Sequence, residues 1–427
     1  MRYLISGYYG EKNAGDEAIL AGILQEIGRR DPDASYVVLS FDPDDTELRH
    51  GHGRELAAVS TSLRSPGLLR TVMQGADLLI SGGGSFLHEA DFELHGRSFL
   101  FREGKLRPVP YFLSVILLAR AQGLPVMWYA QGLGPLHTRA ARAFVARAAT
   151  SSQAVTWRDP DSARLAYEIG VRAPAHLVVP DPAYALTPAS RDEAQAELER
   201  YGLAPGRRYL AVCPRPWLGR TGYLEALGRS LEKAGAALDL EILLAPFHEV
   251  QDPPVCDTLA ARPALAGRAH VLPPVSDPTV LAALLGGAEA VVAMRLHSGI
   301  LAATAGTPAV VIDYDPKTKA FADQTGQSRW AVSVDRLEEA GALDVAVSQT
   351  AARDAAVGGA VGAADPLYDA IAETMAHLPA RRAALARAVA PLRAEAGRTA
   401  GLAVQLASSG RSGGTAGRPR RAGRDSG

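Results

Sequence analysis

Cysteine is nearly missing from this 427-residue chain, which has only Cys213 and Cys256. Two thiols cannot build a zinc cluster or a disulfide-stapled scaffold, and a reducing, cytosolic setting follows as the expectation. An excess of either charge is missing too. Lys+Arg number 45 against 46 Asp+Glu, a formal net charge of -1, which argues against a chain whose main business is coating nucleic acid or anionic lipid. No apolar run is long enough to span a membrane. Residues 111–119 cover about half a bilayer, and 281–312 is interrupted by Glu289, Arg295 and His297. The apolar start of the chain is too short for a signal-peptide core and runs into a charged glycine loop. Two nucleotide signatures are also absent: that glycine loop is not spaced as G-x-G-x-x-G, and no G-x-x-x-x-G-K-[ST] occurs.

What is present is a globular composition, 47% hydrophobic and 21% charged, long enough for two or three domains. Short apolar runs alternate with helix-spaced segments. Strands are predicted at 2–6, 35–41, 76–81, 125–130, 154–157 and 176–179. A second series follows at 208–213, 238–245, 269–272, 290–293, 309–313 and 331–334. Helix spacing marks 16–29, 139–149, 162–169 and 279–285 between them. Apolar strands joined by crossover helices read as parallel sheet covered on both faces. The expected fold class is therefore α/β: two Rossmann-like, doubly wound parallel-sheet domains facing a cleft. The expected division is 1–187 and 188–350, then helices over 351–407 packing on the body, then a disordered basic tail over 408–427.

Ligands of such sheets bind beyond the carboxyl ends of the strands, so the loops there carry the argument. The first loop, GYYGEKNAGDEAI, holds Asn13, Asp16 and Glu17 together, with glycines that allow close backbone approach. Asp16 as a plain helix cap is the bland alternative. After the third strand, SGGGSFLHE offers Gly82, Gly83 and Gly84 as successive N–H donors for an anion or a sugar hydroxyl. AQGLGP, TWRDPDS with Arg158, and VPDPAY follow the next three strands. In the second series, CPRPW supplies Arg215 and APFHEVQD supplies His248 and Glu249. The segment AMRLHSGILAATAGTPAVVIDYDPKTKAF supplies Arg295, His297, Asp315 and Lys317. A helix start that also presents arginine and histidine is a prepared phosphate or carboxylate site. Several cations, one or two imidazoles and a carboxylate, with no metal-ligand spacing, suit a small polyanionic substrate and acid–base transfer without a metal or cofactor.

The ordered set GYYGEKNAGDEAIL, SGGGSFL, AQGLGP, WRDPDS, PDPAY, MRLHSGILAATAGTP and YDPKTKAF, over residues 1 to about 330, resembles the polysaccharide pyruvyl transferase family, most closely its CsaB type. Glu11 and Lys12 stand where an aromatic residue is expected in relatives. The resemblance implies a GT-B-like arrangement, phosphoenolpyruvate as donor, and a lipid-linked glycan as acceptor. In the CsaB type that acceptor is N-acetylmannosamine, ketalised at O4 and O6, and the product anchors S-layer proteins. It places the chain in the cytoplasm, with peripheral contact at the inner membrane face. The role scheme makes His297 the acid/base, puts Arg295 and Lys317 on the phosphate, and gives Arg158 and Arg215 to the carboxylate or phosphate. Asp16 orients or deprotonates the acceptor hydroxyl, while Asn13, Gly83 and Gly84 complete the binding set. Two other readings stay open: a GT-B-like glycosyltransferase using a nucleotide sugar, and a non-catalytic cell-wall binding protein on an inactive fold.

Overall fold

The computed structural model describes residues 1–60, 66–89, 101–102, 105–106, 108–351 and 365–414. The chain divides into two compact units. The first comprises Met1–Glu11, Ile23–Pro182 and Glu395–Gly427, and the second Lys12–Gly22 and Ala183–Ala394.

The first unit contains β1 (Arg2–Ser6), β2 (Ser35–Ser40), β3 (Glu55–Ser60), β4 (Leu78–Ser81), β5 (Gly84–Leu87), β6 (Phe101–Arg102), β7 (Lys105–Leu106), β8 (Val126–Leu133), β9 (Ala154–Trp157) and β10 (Ala175–Val178). Its main sheet runs β10-β9-β8-β4-β1-β2-β3, all parallel, with β5 added against β8. The second unit contains β11 (Tyr209–Cys213), β12 (Glu241–Leu244), β13 (Ala269–Val271), β14 (Ala290–Ala293), β15 (Ala309–Asp313) and β16 (Val332–Ser333). Its sheet runs β13-β12-β11-β14-β15-β16, again all parallel. In both sheets the strand order reverses beside the first strand, between β1 and β4 and between β11 and β14. That crevice is where doubly wound sheets bind ligands.

The central strands are buried along their whole length, as in LLIS, YLAVC, EILL and AVVA, because helices cover both faces of each sheet. The edge strands β3, β10 and β13 are only partly buried. Exposed and half-buried positions alternate in β3, and β5 begins inside the glycine run. Helix starts follow their caps. Asp159 accepts from Ser162 N at 2.7 Å before the helix Pro160–Glu168, and Ser190 with Glu193 closes a capping box before Arg191–Arg200.

The division differs from the expected boundary at 187/188 in two ways. It falls after Pro182, and it assigns residues 12–22 to the second unit. The physical reason is a short antiparallel contact. Ala14 N donates to Phe247 O at 2.8 Å, Glu249 N donates to Lys12 O at 3.0 Å, and Asn13 bridges His248.

At the carboxyl end of the described chain lie the helices Pro366–Ala376 and Leu378–Gly414. The buried Arg381 lies over the Trp330 ring at 3.7 Å and donates to Ala309 O at 2.9 Å. Further along, Tyr129 in the first unit donates its hydroxyl to Ala396 O at 3.4 Å, 267 residues away. The long helix continues to Gly414, past the expected tail boundary at 408. Its buried positions run to Ala407, and residues 415–427 lie outside the described residues.

Candidate active site

Five loops of the second unit come together at the carboxyl edge of its sheet: residues 12–17, and those following β11, β12, β14 and β15. Arg295 stands between β14 and the helix Leu296–Thr304. Its Nε donates to Asp252 Oδ2 at 3.1 Å and its Nη2 to Asp252 Oδ1, a bidentate pair to a fully buried carboxylate. Asp252 also accepts the N–H groups of Phe247 at 3.0 Å and His248 at 2.8 Å. The guanidinium is thus held in place through one side of its fork, leaving Nη1 with no acceptor among the described residues.

His297, two residues on, is half-buried. Gly15 lies against it so closely that a Cβ at position 15 would overlap the imidazole at Nδ1. That close approach, and not a left-handed backbone, is why glycine stands there. Gly15 N donates to Asn13 Oδ1 at 3.0 Å, so Asn13 shapes the turn that meets His297. Asp16 occupies the first turn of the helix Ala14–Arg30, on the same turn as the His297 contact.

Arg215 follows β11. Its guanidinium lies 5.2 Å from the Trp217 ring and 5.0 Å from the Tyr314 ring, which themselves meet edge-on at 4.6 Å, and it donates to the Tyr314 hydroxyl at 2.8 Å. Contact with this aromatic pair fixes a long cationic side chain that would otherwise sample many rotamers. Lys317 lies in the first turn of the helix Pro316–Gln324, where Asp315 accepts its N–H at 2.7 Å. His248 is held below the usual histidine range, first by burial and then by the Arg295 guanidinium. Burial pushes the Cys213 thiol far up and the Cys256 thiol up to about 12, so neither acts as a thiolate at neutral pH.

Arg158, Gly83 and Gly84 belong to the first unit. Arg158 Nη1 donates to Asp181 at 3.2 Å and Nη2 to Ser85 Oγ, with both ion-pair partners buried. Gln131 Nε2 donates to Gly84 O at 2.8 Å. SGGGSFL, AQGLGP, WRDPDS and PDPAY therefore converge on one buried polar cluster. Three free N–H groups in a row are not formed by Gly82–Gly84. Gly82 N donates to Ser6 O at 2.7 Å, and Gly84, with φ +120, opens β5. Gly82 instead leaves room for the buried Tyr9 hydroxyl, which a Cβ would overlap.

Asp252, Tyr314, Asp181 and Ser85 were not singled out by sequence. Each acts on a residue that was, across 23 to 99 positions of chain.

The model of the family described as polysaccharide pyruvyl transferase matches residues 13–316. The chain belongs to that family. The match begins at Asn13 and ends at Pro316, so it spans every loop of the second unit just described except Lys317 itself and Lys12. No curated protein matches this pyruvyl transferase family member. Among solved structures it is similar to Anabaena Alr3699/HepE, solved with UDP and glucose, at 13% identity and TM-score 0.54, covering 96% of this chain and 100% of that one. It is similar to the UDP-GlcNAc 2-epimerase of Neisseria meningitidis at 12% identity and TM-score 0.55, with 96% and 100% covered. A trehalose 6-phosphate synthase from Burkholderia multivorans stands at 10% identity and TM-score 0.51, with 99% of each chain covered. At such identities the likeness concerns the fold: two parallel-sheet α/β domains of the kind shared by GT-B-like proteins. Among the described residues no helix is long and apolar enough to cross a membrane.

Proposed function

We propose that this transferase moves the pyruvyl group of phosphoenolpyruvate onto two hydroxyls of one sugar in a lipid-linked cell-wall glycan, as the CsaB type does with N-acetylmannosamine at O4 and O6. The observation that carries the reading is the set Arg215, Arg295 and His297, placed directly after the two strands that flank the switch point of the second sheet. Phosphoenolpyruvate brings a phosphate and a carboxylate on three carbons, and guanidinium groups match both.

The reaction runs in balanced steps. A proton adds to the methylene carbon and turns it into a methyl group, leaving an oxocarbenium ion at the phosphate-bearing carbon. One sugar hydroxyl attacks that carbon and loses its proton. The carbon–oxygen bond to phosphate then breaks with its electron pair on phosphate, and the second hydroxyl closes the ketal and loses its proton. His297 serves as the proton donor and acceptor. Arg295 and Lys317 stabilise the charge on the departing phosphate, and Arg215 holds the carboxylate. Asp16, in the turn that meets His297, orients the acceptor hydroxyl. The reaction belongs in the cytoplasm, where lipid-linked precursors are assembled at the inner membrane face.

The test is incubation with phosphoenolpyruvate and a synthetic lipid-linked N-acetylmannosaminyl acceptor, following inorganic phosphate and product mass. Phosphate release with the mass gain of a ketal is the expected result. Consumption of a nucleotide sugar instead would replace this reading with glycosyl transfer.

A further inference from the structure

We propose that His248 is a second ligand-binding imidazole of this site, donating from Nε2 to an anionic oxygen of a phosphate or carboxylate group. The inference rests on reading the carboxyl edge of the second sheet as the donor site. Hydrogen bonding decides which ring nitrogen is available. Val250 N and Gln251 N donate to His248 Nδ1 at 3.2 and 3.3 Å, so the neutral ring carries its proton on Nε2. Among the described residues nothing accepts from that nitrogen, and the ring is half-buried.

The loop carrying the ring is itself fixed. Asp252 takes the N–H groups of Phe247 and His248 and, with the same carboxylate, the fork of Arg295. One buried acid therefore sets an imidazole and a guanidinium from loops that follow different strands. The turn at 13–15 spans the two histidines, since Asn13 bridges His248 and Gly15 touches His297.

The charged neighbours of the ring are known on each side. Arg295 and Arg215 disfavour its protonation, and Asp252 and Glu249 favour it. Burial and Arg295 lead, so the ring stays a neutral donor beside the cations. A neutral N–H next to a held guanidinium binds an oxyanion without adding another buried charge.

Two measurements test the assignment. In turnover assays with the full chain, His248→Ala raises the KM for phosphoenolpyruvate about 10- to 100-fold and changes kcat by less than about threefold. His248→Gln, which keeps an N–H near the reach of Nε2, recovers most of that loss. A fall in kcat at unchanged KM, or no change in either, overturns the proposal. Independently of turnover, the histidine rings of isotope-labelled protein are followed by NMR while inorganic phosphate is added. The expected result is an Nε2-protonated His248 whose Nε2 resonance moves with phosphate. A ring protonated on Nδ1, or one that phosphate leaves unmoved, overturns the proposal. If phosphate moves His248 in a protein that does not consume phosphoenolpyruvate, the pyruvyl-transfer reading fails and the anion site stands.

Discussion

The two sheets share one topology and carry different chemistry at their carboxyl edges. In the first unit the strand-end arginine, Arg158, is closed into a buried cluster with Asp181 and Ser85. In the second, Arg295 is paired through only one side of its fork, Arg215 rests against an aromatic pair, and two imidazoles stand beside them. Parallel sheet supplies strand ends at fixed spacing, and the loop residues decide whether those ends are packed or equipped. Asp181 and Asp252 are both buried ion-pair partners, and Asp252 also ties down two backbone N–H groups of its own loop.

Breaking these acids gives the largest expected effects. Asp252→Ala and Asp181→Ala each leave a buried guanidinium uncompensated and lower stability by about 3–5 kcal/mol in urea unfolding. If Asp252→Ala costs no more than a surface substitution, the second unit's edge is not organised by that acid. Next comes the chemistry. His297→Ala and Arg295→Ala each lower turnover at least ~100-fold in phosphate-release assays, and near-wild-type turnover would remove that residue from the scheme. A glycine pair sharpens the contrast further. Gly15→Ala displaces the His297 ring and lowers turnover about 10- to 100-fold, whereas Gly82→Ala displaces Tyr9 and shows as about 1–3 kcal/mol of lost stability. Equal kinetic damage from both would place Tyr9 in the reaction as well.

The smallest effect is in pH. His176 in the first unit and His248 in the second both have pKa values below the ordinary 6.5, by burial first and then by Arg172 and Arg295 respectively. The unfolded chain binds more protons at these positions. Their contribution to stability is therefore fully present above pH 6.5 and is lost as pH falls through the folded values. Urea midpoints should drop on acidification through that range, and His248→Gln should flatten part of the drop. A slope that is unchanged in both His248→Gln and His176→Gln would assign the pH dependence to other groups.

Much of this was legible in the sequence because burial on both faces leaves continuous apolar runs. LLIS, AVTW, AVVA and AVVID are strands as expected. β3 was not legible, because an edge strand half exposed to water has no such run. β5 was hidden by the glycines that begin it. At the site, Arg295 and His297 announced themselves by position at a strand end. Asp252 did not, since a carboxylate before a proline-led helix looks like a cap. Here it makes no side-chain cap bond and turns instead to an arginine 43 residues away. Gly15 looked like a residue for ligand approach, yet the group it admits belongs to the chain itself.

The bond from Tyr129 to Ala396 spans 267 residues, and that spacing sets an order of events during synthesis. At roughly 5–20 residues per second, a ribosome needs roughly 15–50 s to make the intervening chain. Throughout that interval the N-terminal sheet exists without the helical segment that finally covers Tyr129, with apolar surface open to water. Nascent chains of this protein are therefore expected to be chaperone clients until their closing helix emerges, a dependence that separate synthesis of that helix would expose.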